Sequence, residues 1–177
     1  MDEKLIKKAV KGNFNAYSIL VNELKSDGYK LAYTILKNEQ DSIDAYLQAV
    51  EKGLKNIKNL KEVKYFKSWF LKIVINEAKN IISKNIISKN SKVIYLEDVK
   101  DLKEDKEINR ENKIDLEKSL QSIDPQTREM IKMKYYMGYK LEEIAQILDL
   151  SIGTVKGKMY TALKNMRKEL SDSENRG

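Results

Sequence analysis

Between Leu141 and Leu170 the apolar residues keep a helical rhythm. Leu141, Ile144, Ala145 and Leu148 fall at i, i+3, i+4 and i+7, and after a short break Val155, Met159, Ala162, Leu163, Met166 and Leu170 resume it. The break, Asp149-Leu150-Ser151, is long enough only for a tight turn, and the Ser151 hydroxyl can accept from the first free amides of the second helix. The pattern predicts a helix-turn-helix.

The same periodicity fills the first half of the chain. Leu5, Ile6, Ala9 and Val10 predict one helix, and Phe14, Tyr17, Leu20, Val21 and Leu24 a second, broken at Gly12-Asn13. Asp27-Gly28 predicts a bend before Leu31, Ile35 and Leu36, and Asp41-Ser42 offers a cap for a helix through Ala45, Leu47, Val50 and Leu54. After a polar loop over 56–64, Tyr65 to Asn76 is too long an apolar run for one strand and predicts a nearly buried helix leading on to Ile82 or Ile86. The repeat Ile81-Ile82-Ser83-Lys84-Asn85 and Ile86-Ile87-Ser88-Lys89-Asn90 has a five-residue period that suits neither helix nor strand, so it reads as a fraying helix end.

Residues 91–113 are charged, mixed in sign and poor in aromatics, which is linker composition. The expected layout is therefore all-α: a helical domain over 1–90, a flexible linker over 91–113, and a small helical domain over 114–177 that contains the helix-turn-helix and ends in a polar tail from Ser171. One proline and seven glycines leave little turn chemistry for a many-stranded fold.

Composition narrows the chemistry. The chain has neither cysteine nor histidine, which removes disulfides, thiolate nucleophiles, imidazole acid-base catalysis and the usual zinc ligand sets. No metal site and no cofactor is expected. Lys72 interrupts the most apolar run and no signal peptide opens the chain, so a cytoplasmic protein without membrane insertion is expected. The formal net charge of +7 favours an anionic partner. Its distribution is uneven: residues 1–90 hold 17 lysines and 10 acidic residues, whereas 114–177 hold 11 basic and 10 acidic. A second basic surface, outside the helix-turn-helix, is suggested; a well-solvated lysine-rich surface explains the surplus equally.

With Val155 set at zero and each residue advancing about 100°, the second helix of the motif gathers Lys156, Gly157, Tyr160, Thr161 and Lys164 opposite its apolar side, with Thr154 and Lys158 on the flanks. No carboxylate occurs from Ser151 to Lys168. Such a helix can lie in a major groove, its first turns near base edges and its lysines near phosphates. Gly157, unfavourable in a helix interior by about 1 kcal/mol relative to Ala, makes sense where a backbone or phosphate comes close. The competing reading is a helical hairpin with a solvated basic face.

The runs Tyr139-Lys140-Leu141-Glu142-Glu143-Ile144-Ala145 and Leu150-Ser151-Ile152-Gly153-Thr154-Val155-Lys156 resemble the upstream-element-binding domain of the extracytoplasmic-function sigma factors of bacterial RNA polymerase. Ile123-Asp124-Pro125, Arg128 and the turn Tyr136-Met137-Gly138-Tyr139 continue the likeness. Gly157, Lys158 and Thr161 stand where the family has Ser, Arg and Arg, so bidentate guanine contacts by arginine are unavailable there. In the first half, Phe66-Lys67-Ser68-Trp69-Phe70-Leu71 followed by Asn76 resembles the family's Phe-x-Ser-Trp-Leu run. Asp41-Ser42-Ile43-Asp44-Ala45-Tyr46-Leu47-Gln48 resembles its polymerase-binding segment, with Ile43 and Leu47 in place of Glu and Gln.

The resemblance implies an alternative sigma factor, not an enzyme, that binds core RNA polymerase and directs initiation at specific promoters. Residues implied to bind polymerase are Asp41, Asp44, Leu47 and Gln48. Those implied to bind the melted minus-ten element are Leu60, Lys61, Lys64, Tyr65, Asn76, Lys79 and Asn80, which supply lysines for the backbone, a pocket for an extruded base and polar groups for its edge. Trp69 is expected to pack in the core, and Asn76 to be either a base reader or an ordinary helix-end residue. The helix residues Thr154, Lys156, Gly157, Lys158, Tyr160, Thr161 and Lys164 are implied to meet the minus-thirty-five element. An anti-sigma factor is a further partner that the resemblance allows. The rival readings are a helix-turn-helix activator with an N-terminal sensor or dimerisation domain, which would need no polymerase-docking helix, and a lysine- or carboxylate-based hydrolase, against which stands the lack of His, Cys, a phosphate loop and a nucleophile elbow.

Overall fold

The computed structural model describes residues 1–88 and 123–174, with side chains over 1–85 and 123–168. The chain divides into two compact units, Met1–Asp98 and Val99–Gly177. All regular structure among the described residues is helical. The division falls inside the stretch expected to be a linker, and that stretch itself lies outside the described residues.

The first unit contains α1 (Glu3–Val10), α2 (Phe14–Glu23), α3 (Lys25–Leu36), α4 (Glu39–Asn56) and α5 (Phe66–Ser88). Asp2 caps α1 by accepting from the amides of Lys4 and Leu5, and the chain then reverses through Gly12 at φ +94°. Asn13 caps α2 through the Ala16 amide at 2.9 Å. The expected break at Gly12-Asn13 is thus a cap next to a left-handed glycine.

The second break differs from expectation. The helix is interrupted at Leu24, and Gly28 lies within α3. A Cβ on Gly28 would sit 2.8 Å from the ring of Tyr46, so this glycine permits close approach of α3 to α4 rather than a bend. The cap of α4 is also displaced: Asn38, not Asp41 or Ser42, accepts from the Asp41 amide at 2.9 Å, and the helix begins at Glu39. Ser42 is buried inside the helix and gives its hydroxyl to the Asn38 carbonyl.

Helices α3, α4 and α5 pack on one another. Leu31 and Ala32, Ala45 and Ala49, and Phe66, Phe70, Leu71, Val74 and Ala78 form the shared core. Tyr17 and Tyr46 are buried with their hydroxyls donating to the carbonyls of Val50 and Val21, each at 2.7 Å. A buried phenol without such a partner would cost about 1–3 kcal/mol, so these two bonds let large rings fill the core between α2 and α4. The loop over 56–64 contains two 3-10 turns, Ile57–Asn59 and Val63–Tyr65, and Ile57 is buried. Helix α5 runs through the first unit of the five-residue repeat, where a fraying end was expected. Ile81 is buried and Ile82 half-buried, which gives that unit a face to pack and holds it helical.

The second unit contains α6 (Pro125–Ile131), a π-helical turn at Lys132–Tyr136, α7 (Leu141–Leu148) and α8 (Ile152–Glu174). Asp124 caps α6 with Pro125 at its first position. Gly138 turns the chain at φ +75°, and Glu143 reaches back to the Lys140 amide at 2.8 Å to start α7. The core is built from Ile123, Met130, Ile131, Met133, Tyr139, Ile144, Ile147, Val155 and Met159. Ile147 takes the buried place and Leu148 is only half-buried, a shift of one residue from the expected apolar face. Helix α8 continues to Glu174, past the expected start of the polar tail at Ser171.

Candidate nucleic-acid interface

The turn between α7 and α8 sets the first candidate surface. Asp149 adopts a left-handed conformation at φ +59°, and the Leu150 amide returns to the Ala145 carbonyl at 2.9 Å. Ser151 then accepts from the Thr154 amide at 3.0 Å, as the sequence predicted. Val155, Met159, Ala162 and Met166 are buried, so the opposite sector faces outward. Thr154, Lys156, Gly157, Lys158, Tyr160, Thr161 and Lys164 are all exposed, and the structure brings them together on one side of α8.

Two of these carry more than their exposure. Tyr160 is 71% exposed, the most of any large apolar or aromatic side chain among the described residues. Nothing lies within 4 Å of a Cβ placed on Gly157, so packing within the chain does not require glycine there. Lys158 lies 3.9 Å from Asp124, the cap of α6. The Asp124 carboxyl is held below its ordinary range by hydrogen bonding from Thr127, against some desolvation, and by the Lys158 charge.

The first unit offers a second surface along α5. Counting about 100° per residue, Tyr65, Lys72, Asn76, Lys79, Asn80 and Ser83 fall in one sector, opposite the buried Phe70, Val74 and Ala78. Tyr65, Asn76, Lys79, Asn80 and Ser83 are exposed and Lys72 is half-exposed. Lys64 stands 4.7 Å over the Tyr65 ring and 2.8 Å from Glu62, Lys61 is exposed and Leu60 half-buried. About 15 Å of helix rise separates Phe66 from Asn76, so the residues on α5 form an extended strip. Trp69 was expected in the core, yet it is half-buried at the margin of this strip with its ring 5.8 Å from that of Phe66.

Beneath the strip lies Glu77, 7% exposed and unnoticed in the sequence. Its Oε1 accepts from Lys52 of α4 at 2.6 Å and its Oε2 from the Asn80 amide at 3.2 Å. Burial by itself would raise the Glu77 carboxyl, but hydrogen bonds from Lys52 and Asn80, with the charges of Lys52 and Lys84, hold it below the ordinary range. A stretch of alternating apolar and polar residues gives no signal of this contact, because Lys52 and Glu77 are 25 residues apart.

The face of α4 away from the core carries Ile43, Leu47 and Leu54, which are 44%, 57% and 38% exposed. They sit at helical spacing beside Asp44 and the exposed Gln48. Gln40 donates to Asp44 at 3.2 Å. Asp41, half-buried, receives the Asn85 amide of α5 at 3.5 Å. An apolar stripe with polar groups along one edge suits a protein partner better than a nucleic acid. Ile43, Leu47 and Leu54 stand at i, i+4 and i+11, a spacing already present in the sequence.

No helix among the described residues is long and apolar enough to cross a membrane, and none of their carboxylates cluster in a metal-ligand set.

The family model for sigma-70 region 4 matches residues 113–166, which takes in α6, the π-helical turn, α7 and most of α8. Over 154 residues the chain is 30% identical to RNA polymerase sigma factor SigV of Bacillus subtilis, covering 87% of this chain and 90% of that protein. The ECF RNA polymerase sigma factor SigW of the same organism is 26% identical over 183 residues, covering 97% of this chain and 98% of its own. Among solved structures, CnrH in complex with the cytosolic domain of CnrY is similar with a TM-score of 0.67 at 19% identity, covering 97% of each chain. The sigma factor RpoE of Bartonella quintana, in complex with the anti-sigma factor NepR, gives 0.62 at 18% identity, covering 85% of this chain and 95% of the other. These structural likenesses speak for the fold, whereas the relation to SigV covers 87% of this chain and so takes in both units. The chain belongs to the extracytoplasmic-function RNA polymerase sigma factors, the initiation factors that direct promoter-specific transcription.

Proposed function

We propose that this chain divides the work of initiation among its three surfaces. Helix α4 docks core RNA polymerase through Ile43, Leu47 and Leu54, with Asp41, Asp44 and Gln48 along the edge. The strip of Leu60, Lys61, Lys64, Tyr65, Asn76, Lys79 and Asn80 receives the melted minus-ten element, and α8 reads the minus-thirty-five element. The domain assignment follows: 1–90 serves polymerase and the minus-ten element, 114–177 the upstream element. The observation that carries the reading is α8, where seven residues from Thr154 to Lys164 lie exposed on one side of a helix whose opposite side is buried.

The α5 strip suits unpaired DNA for a physical reason. Extruding a base costs a few kcal/mol, and a row of lysines, an aromatic ring and carboxamides can offset that by contacts to backbone, base face and base edge. Its length fits several nucleotides of one strand better than a single base. The chain performs no catalysis itself; phosphoryl transfer stays with the polymerase, and the protein works in the cytoplasm where that enzyme is. RpoE of Bartonella quintana is seen with the anti-sigma factor NepR, and by that analogy this chain takes an anti-sigma factor.

Run-off transcription with purified protein, core polymerase and genomic fragments tests the reading. Discrete start sites that depend on this protein are expected. Transcription that needs a second sigma factor, with this protein only raising its yield, would make the chain an activator instead.

A further inference from the structure

We infer that Glu77 is a positioning residue for the opened promoter, fixing which edge of the Asn80 carboxamide faces the DNA. The inference rests on the reading of the α5 strip given above. A carboxylate can only accept hydrogen bonds. Lys52 takes its Oε1 at 2.6 Å, and the Oε2 is left to the Asn80 side chain at 3.2 Å. Asn80 therefore has to point its NH2 group inward, and its planar carboxamide turns the oxygen to the other side. The strip then presents an acceptor at this position.

The electrostatics support the same arrangement. A carboxylate beneath a surface for DNA opposes its purpose unless neutralised, and here the Lys52 ammonium from α4 neutralises it at contact distance. Glu77 is the only charged side chain among the buried polar residues of the described part, so its place is set by these partners and not by solvent. The ion pair also ties α5 to α4, the helix proposed to hold polymerase.

An outward acceptor selects a base that offers an exocyclic amino group on its pairing edge. Adenine, cytosine and guanine each carry one, whereas thymine carries none and sets a carbonyl on each side of its ring N–H. At one position of the opened element the wild-type protein should prefer the amino-bearing bases over thymine by about 2- to 10-fold, the range of one net hydrogen bond. Glu77→Gln keeps the shape but changes the polarity. Lys52 still takes the oxygen of Gln, whose NH2 group then faces Asn80, and the Asn80 carboxamide turns over to present its own NH2 to the DNA. The preference at that position should invert.

The experiment is selection of open complexes formed by core polymerase with the full chain on promoters randomised through the minus-ten element, followed by sequencing. Wild type, Asn80→Ala, Glu77→Gln and Glu77→Ala are compared, with circular dichroism to show that each is folded. Asn80→Ala marks the position by losing its preference. Glu77→Gln should turn that same position toward thymine, and Glu77→Ala, which removes the anchor, should flatten it without inverting it. If the position marked by Asn80→Ala keeps its wild-type preference in the folded Glu77 variants, Glu77 does not position Asn80 and the inference is overturned. If Asn80→Ala alters no position, the assignment of Asn80 to the strip fails, and the inference falls with it.

Discussion

Asp124 faces Lys158 across 3.9 Å, so the residue that starts α6 also draws on a cation of α8, the helix proposed to meet DNA. Both side chains are well exposed, which limits the pair to less than about 1 kcal/mol of stability. Its effect on DNA should be larger. Asn caps a helix about as well as Asp, so Asp124→Asn keeps the cap and removes the charge. Duplex affinity should rise for all sequences alike, with the salt slope steeper by at most about one phosphate contact. A fluorescence anisotropy titration at several salt concentrations measures this; an unchanged slope and affinity would show that Lys158 does not meet phosphate.

Lys156 and Lys164 are separated by about 12 Å along α8 and should play different parts. Lys156 stands in the first turns, within reach of base edges, and Lys156→Ala should cost about 1–3 kcal/mol at one base position and relax the preference there. Lys164→Ala should weaken every sequence equally and lower the salt slope by about one. Binding selections on randomised upstream elements separate the two. The same preferred sequence in both variants would remove α8 from promoter reading.

Gly157 sets stability against binding. Space around it is open, so Gly157→Ala should stabilise the free protein by about 0.5–1 kcal/mol. If a DNA backbone comes close at this point, the added methyl should weaken upstream-element binding while the melting temperature rises. A variant that is both more stable and unchanged in binding would show that glycine is not needed for the complex.

Gly53 is a packing glycine in the first unit. A Cβ there would collide with the Tyr17 hydroxyl, which is already committed to the Val50 carbonyl. Gly53→Ala should therefore destabilise by about 1–3 kcal/mol, the usual cost of overpacking, despite the better helix propensity of alanine. Urea denaturation would show it, and a midpoint at or above wild type would mean that the Tyr17 ring moves freely.

Acid should unfold the protein through Glu77 and Asp124. Both carboxyls are held below their ordinary range in the fold. Each therefore contributes stability that is present above the unfolded pKa and is lost as pH falls through the depressed folded value. Glu77→Gln should flatten the acid limb of a plot of stability against pH. An identical limb in wild type and variant would show that the Lys52–Glu77 pair adds nothing to acid stability.

Much of this was legible in the chain itself. The buried seam of α8 follows from a 3.6-residue period that depends only on helix geometry, and so its outward residues could be named from spacing. The same holds for the Ser151 cap, because a helix start is satisfied by side chains a few residues away. Absence of Cys and His settled which chemistries were closed to the protein before any fold was known.

Other features depend on what lies across from a residue. Gly28 reads locally as a bend, yet its role is to admit the Tyr46 ring, a partner on another helix. Asp41 and Ser42 are good caps by type, but Asn38 stood nearer the true start and took that place. The extent of the strip on α5 depends on the same limit, because residue types in a sequence carry no distances between them.

What the sequence by itself determined is therefore the helical class, the helix-turn-helix with its outward face, and the family that these patterns point to. Only the tertiary structure decided that Glu77 lies buried between Lys52 and Asn80, that Trp69 is not fully buried, and that Ile43, Leu47 and Leu54 remain uncovered. The reason is that helical periodicity is a property of neighbours in sequence, whereas burial and ion pairing are set by which helices meet, and at what register.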